Sequence, residues 1–210
     1  FGFDGLGLAL QNGVVSETDF PSQYSGMQFC WASGYDKYLR AMHFQSDGFV
    51  NINVSTPAGL EEAREYLADK GVEGGRGGVL AFSSNASGWK FSEYDGPSET
   101  GYNCIQTQLA TDGAHALTIV GYDDSVEYSA PDGSVSKGAF IVINSWGEYF
   151  HDRGRFYLPY RFFLQGDIPD ACLGRDLKGV KVEYAEPGIV FRVKLDYSSR
   201  DDLSFRYGVG

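Results

Sequence analysis

Three apolar runs rich in β-branched and aromatic residues follow one another between residues 116 and 160: Ala116–Tyr122 (ALTIVGY), Gly138–Asn144 (GAFIVIN) and Gly154–Tyr160 (GRFYLPY). Runs of this length, bounded by Gly, Asp and Ser, are short for a core helix and the right size for buried strands. They predict a β-rich half of the molecule. Val79-Leu80-Ala81-Phe82, after the glycine-rich stretch 74–78, reads as a further buried strand. Residues 83–113, broken by Gly88, Gly96-Pro97 and Gly101, read as loop, and so does the polar stretch 123–137. Val180–Tyr184 is a candidate strand. Beyond it, Ile189, Phe191, Val193 and Leu195 alternate with Arg192, Lys194 and Asp196, and Leu203, Phe205 and Tyr207 alternate again, which predicts a hairpin.

Helical signals come earlier. From Cys30 onward, Trp31, Tyr35, Tyr38, Leu39 and Met42 form a stripe at helical spacing, which places Cys30 at or beside a helix N-terminus. A second helix is marked by Thr56 as N-cap, Pro57 at the first helical position, the repeat Leu60, Ala63, Leu67, and Gly71 at its end. Helices first and strands afterwards give an α+β chain.

The 210 residues suit one domain, or one domain with a small appendage. A net charge of −11 argues against a nucleic-acid partner, which needs clustered Lys and Arg. No apolar run approaches the ~20 residues of a membrane span. The start at Phe1-Gly2-Phe3, without an initiator Met or an apolar leader, reads as a processed or trimmed piece. Three cysteines, none at close spacing to another, give no structural zinc motif, and the odd count leaves at least one thiol free.

Three segments carry chemistry. A thiol at a helix N-terminus, as in Cys30-Trp31-Ala32-Ser33, is biased toward the nucleophilic thiolate by the helix dipole, although a free cysteine is more often a small core residue. His115, entering a strand in Gly113-Ala114-His115-Ala116-Leu117, suits a rigidly held acid–base group or a satisfied core histidine. Asn144, in Asn144-Ser145-Trp146-Gly147 at the end of the next strand, can accept an imidazole N–H or simply form a turn.

Taken in order, these three segments resemble the papain-like cysteine peptidases, over roughly residues 20–160. The resemblance implies a two-part fold, a helical half carrying Cys30 and a β-rich half carrying His115 and Asn144, with the cleft between them. It implies amide hydrolysis through an acyl-enzyme on a protein or peptide substrate, with no metal or organic cofactor. Cys30 is then the nucleophile, His115 its acid–base partner, Asn144 the orienter, and Trp146 the shield of the His–Asn bond. Trp31 and Ala114 line or support the cleft. Gln23 matches the glutamine of the oxyanion hole, one residue further from Cys30 than the family's spacing, where Tyr24 stands; Gln28 lies too close to the nucleophile.

The pattern departs from the longer members. His115 follows Cys30 by 85 residues (115 − 30) and Asn144 by 114 (144 − 30), against about 130–150 in the papain signature. Phe150 stands where a second tryptophan is common, and Met27-Gln28-Phe29 replaces the Cys-Gly-Ser before the nucleophile. This shortening resembles bacterial secreted members, which implies a secreted, periplasmic or cell-surface setting. In that setting Cys104 and Cys172 are candidates for a disulfide. The expected division is a catalytic domain over 1–170 and a C-terminal β extension over 171–210, with the oligomeric state left open. Two rival functions are a non-catalytic papain-like binding module and a Cys–His acyltransferase of transglutaminase type. Intact Cys30, His115 and Asn144 weigh against the first, and Asn in place of Asp against the second. Asp123-Asp124 and Asp132-Gly133 miss the calcium-loop spacing and read as solvated turns, and His43 and His151 read as surface or helix-end residues. Asn53-Val54-Ser55 and Asn85-Ala86-Ser87 match the glycosylation acceptor pattern.

Overall fold

The computed structural model describes residues 13–20, 35–69, 78–166, 168–184, 186, 188, 192–199 and 204. Its elements are α1 (Tyr35–Met42), β1 (Phe44–Asn53), α2 (Pro57–Asp69), β2 (Leu80–Ser87), β3 (Lys90–Glu93) and β4 (Cys104–Gln108), then β5 (Asp112–Ser129), β6 (Val135–Ile143), β7 (Arg155–Pro159), α3 (Tyr160–Leu164) and β8 (Asp176–Tyr184). The strands form one mixed sheet in the order β1-β8-β2-β5-β6-β7-β4-β3. Every neighbouring pair is antiparallel except β4 with β7.

The three apolar runs between residues 116 and 160 lie in β5, β6 and β7, side by side. Their buried residues, Leu117, Ile119, Phe140, Val142, Phe156 and Leu158, join Leu80 and Phe82 of β2 in the core. Burying side chains of this size contributes roughly 1.5–3 kcal/mol each before the entropy of ordering is subtracted. Helix α2 closes part of the core with Leu60, Ala63, Tyr66 and Leu67. It begins where Thr56 predicts: the Gly59 N–H donates to Thr56 Oγ1 at 3.2 Å, and the Leu60 N–H to the Thr56 carbonyl at 3.0 Å. In α1 only Ala41 is buried and Tyr38 is exposed, so the expected stripe is not a core face over this stretch.

Several connections expected to be loops are strands. β3 and β4 lie inside the stretch 83–113; Ile105 and Gln106 of β4 are buried, and Ile105 pairs with Tyr157 of β7. β5 runs on through the polar residues 123–129, carried by a register shift between Asp123 and Glu127 that keeps Val126 and Tyr128 buried. The β5–β6 turn shrinks to Ala130–Ser134, where the Ala130 N–H donates to the Ser134 carbonyl. β1, unread in the sequence because FQSDGFVNIN lacks clean alternation, is an edge strand with a register shift between Ser46 and Gly48.

β8 falls within the segment assigned to a C-terminal extension, yet it runs between β1 and β2 as part of the central sheet. Residues 192–199, part of the predicted hairpin, are in no strand. Ser204 is in no strand either, and the rest of that hairpin lies outside the described residues. The candidate Cys104–Cys172 disulfide does not form: both thiols are free and buried. Cys104 opens β4 opposite Glu93, whereas the Cys172 carbonyl accepts from Ser84 Oγ and the Asn85 N–H of β2, so different strands hold them.

Asp123 is a structural hub rather than a solvated turn. Its Oδ2 accepts from Ser98 Oγ, the Glu99 N–H, and the Thr100 N–H and Oγ1 at 2.9–3.1 Å, and its Oδ1 from the Ser125 N–H and Oγ. Burial alone would raise this carboxyl, but the donated hydrogen bonds outweigh it and hold the group well below the usual carboxylate range. Asn85 is 8% exposed and packed in the sheet, which argues against glycosylation there. Among the described residues no helix is long and apolar enough to cross a membrane.

Candidate active site

His115 sits near the start of β5, opposite Ser84 of β2. Two residues earlier, Gly113 has φ +76°, and a Cβ there would stand 2.3 Å from Ser87 Oγ. Only glycine lets β5 approach β2 this closely in this conformation. Ala114, expected at the cleft, is exposed and pairs with Asn85. Asn144 directly follows β6, and its N–H donates to the Gly154 carbonyl at 2.8 Å. The loop between them folds back on itself: the Gly154 N–H donates to the Phe150 carbonyl and the Phe150 N–H to the Gly147 carbonyl. Gly147 and Gly154 take positive φ, as do His151 and Arg153.

This loop and the adjacent strand bring His115 and Asn144 together. His115 Nε2 lies 2.9 Å from Asn144 Oδ1. An amide oxygen only accepts, so Nε2 carries the proton and Nδ1 is the nitrogen left for proton transfer. Asn144 is 5% exposed, and its Nδ2 is buried without a partner. Trp146 stacks on the imidazole, centroids 5.0 Å apart and planes 25° apart. Phe150 meets Trp146 edge-on at 5.0 Å. The site is thus a strand-held imidazole, oriented by one buried amide and covered by an indole.

The sequence matches the profile of the papain family of cysteine proteases over residues 6–162. The chain belongs to that family. Among curated proteins no sequence matches it. Similar solved structures include the cysteine protease xylellain from Xylella fastidiosa, at 18% identity and TM-score 0.51, covering 85% of this chain and 60% of that one. The SERA5 proenzyme of Plasmodium falciparum is 18% identical with TM-score 0.53, over 80% of this chain and 43% of that one. The cysteine protease and lectin-like domains of Cwp84, a surface-layer-associated protein of Clostridium difficile, are 22% identical with TM-score 0.51, over 86% and 36%. This chain spans 60% or less of each of these structures. They share its papain-family fold.

Cys30, Trp31 and Gln23, the other residues the sequence assigns to the papain-family site, lie outside the described residues. His43 stacks on Tyr184, and His151 packs on Phe91 and Phe150 with its pKa lowered by burial, so the structure gives each an aromatic neighbour. One site neighbour carries no signal in the sequence. Trp89, in the turn between β2 and β3, comes within 6.0 Å of the His115 ring and 5.7 Å of Trp146, centroid to centroid. Its stretch reads as loop, and no local pattern ties it to a histidine 26 residues later (115 − 89).

Proposed function

We propose that this papain-family chain is a cysteine-type endopeptidase acting through Cys30, His115 and Asn144. The observation that carries the reading is the His115–Asn144 hydrogen bond beneath Trp146, because it gives the imidazole the orientation a general acid–base needs. The Cys30 thiolate attacks the scissile carbonyl carbon, forming a C–S bond and an oxyanion, which Gln23 and the Cys30 backbone N–H stabilise. Collapse breaks the C–N bond as His115 protonates the departing amine, leaving a thioester. Water then gives a proton to His115 and attacks the thioester, releasing the acid and restoring the thiolate. Asn144 holds Nε2, so Nδ1 serves both transfers. A secreted or surface location fits the Cwp84 likeness and belongs to the same proposal.

Brief, substoichiometric iodoacetamide followed by peptide mapping tests the reading. Cys30 is expected to be labelled first, with peptide hydrolysis lost in proportion and absent in Cys30→Ala. Label on Cys104 or Cys172 ahead of Cys30 overturns it. For the oxyanion hole, Gln23→Ala is expected to lower kcat by ~10²–10³ with KM little changed, and Gln28→Ala to do much less. Reversed effects would move the assignment to Gln28.

A further inference from the structure

Trp146 is a half-exposed cover for His115: it is 47% exposed and is followed by Gly147 at φ +92°. Trp89 packs against both rings. Its centroid is 5.7 Å from Trp146 and 6.0 Å from His115, while those two are 5.0 Å apart. Three such similar separations describe a triangle. Were Trp89 on the second face of the imidazole, the two indoles would lie on opposite sides of His115 and much further apart. Trp89 therefore leans on the edge of the stack and touches both members.

Behind it the packing is rigid. Phe91 meets Trp89 at right angles, centroids 5.8 Å apart, and Phe156, fully buried in β7, lies at 6.1 Å. A half-exposed indole beside the imidazole is in this way tied to the core of the sheet through Trp89, on top of the tie through Phe150, which meets Trp146 at 5.0 Å and Phe91 at 5.7 Å but does not reach the imidazole stack from the Trp89 side. No hydrogen bond does this work: Trp89 Nε1 is buried and unpartnered. The hold is ring packing alone.

We propose that Trp89 is a positioning residue of this active site, wedging Trp146 against His115 so that the imidazole stays on Asn144 and water stays off the Nε2–H···Oδ1 bond. The proposal rests on the peptidase reading for its kinetic consequences but not for its structural ones. Three variants of the full chain test it, Trp89→Ala, Trp89→Leu and Trp89→Phe, each read by kcat and KM on a fluorogenic peptide and by the His115 Nε2–H proton in NMR of histidine-labelled protein. Trp89→Ala is expected to lose ~10–100-fold in kcat with KM within about 3-fold, as displacement of a reacting group costs rate more than binding. Its Nε2–H signal is expected to broaden into the solvent at neutral pH. Trp89→Phe keeps the signal and stays within about 5-fold of the parent kcat, because a ring still fills the wedge. Trp89→Leu falls between them and takes the place of Trp89→Ala if the latter does not fold. A folded Ala or Leu variant with parental kcat and a parental Nε2–H signal overturns the proposal, as does Trp89→Phe impaired as severely as Trp89→Ala. A parent chain that neither cleaves peptides nor alkylates at Cys30 overturns the peptidase reading instead, and the Nε2–H signal still decides what Trp89 does.

Discussion

Two buried polar groups on the β5–β6 hairpin are treated in opposite ways. Asp123, 2% exposed on β5, has both carboxylate oxygens supplied with N–H and O–H donors from the loop 98–100 and from Ser125. Asn144, 5% exposed just past β6, uses its Oδ1 on His115 and leaves its Nδ2 without a partner, and Trp89 Nε1 beside the same site is also unpaired. Buried donors are nearly always satisfied, and each one left over costs roughly 1–3 kcal/mol. The first site is built to be stable. The second tolerates unpaired donors while holding one imidazole in one orientation, the kind of local sacrifice found where chemistry is done.

That contrast breaks if activity and stability respond together. His115→Ala is expected to lower kcat/KM by ~10³-fold or more while moving the melting temperature little, since in the proposed mechanism the lost group serves proton transfer rather than the core. Asn144→Ala is expected to cost less, about 10–100-fold, by freeing the ring. Equal losses of melting temperature in these variants would mean that the imidazole pair is structural.

Asp123→Asn is the converse experiment, with the next largest effect. It removes the charge that its donors face and turns one oxygen into a competing donor. A cost of ~3 kcal/mol is expected, which at ~2–4 °C per kcal/mol for a chain of this size lowers the melting temperature by about 6–12 °C. The pH dependence follows from the depressed carboxyl. Its stabilisation is present above the unfolded carboxylate pKa of ~4 and is lost as pH falls below it, so the parent chain has a steeper acid limb than Asp123→Asn. Superimposable acid melts of the two proteins would remove Asp123 from its role.

The legibility of the two sites in the sequence follows the same line. That His115, Asn144 and Trp146 come together is legible because each sits in a short segment with a distinctive run of residue types. The strand that bears Asp123 continues past its apolar run because its polar side chains bond toward residues 98–100 and Ser125, so a polar stretch does not mark a loop here. β3 and β4 hide behind the same pattern, with Gln106 fully buried and its amide donating to the Gln108 carbonyl. Trp89 could not be found by any local pattern, because only the β2–β5 register and the 145–154 loop bring it to His115. Helix α2 is legible because Thr56-Pro57 states its start in two residues.

The smallest effect concerns the remaining thiols. Burial, and after it the charge of Asp152, push the Cys104 thiol up to about 11, so near neutral pH it is protonated and unreactive. With Cys104 and Cys172 buried and unbridged, reductant is expected to leave the melting temperature unchanged. Intact-mass labelling is expected to find both thiols only after unfolding. A reductant-sensitive melt would restore the disulfide and discard this arrangement.

β8 has a consequence for how the chain comes into being. Among the described strands β1 pairs with β8, from Phe44 with Tyr184 to Asn53 with Asp176, which are 140 (184 − 44) and 123 (176 − 53) residues apart along the chain. A growing polypeptide therefore carries β1 without its ladder until most of the protein has been synthesised, and such distant pairings are slow to form. During that interval β1 is an open template for other unfinished chains. The strand that joins β1 to the sheet is also the one that takes up its first free side.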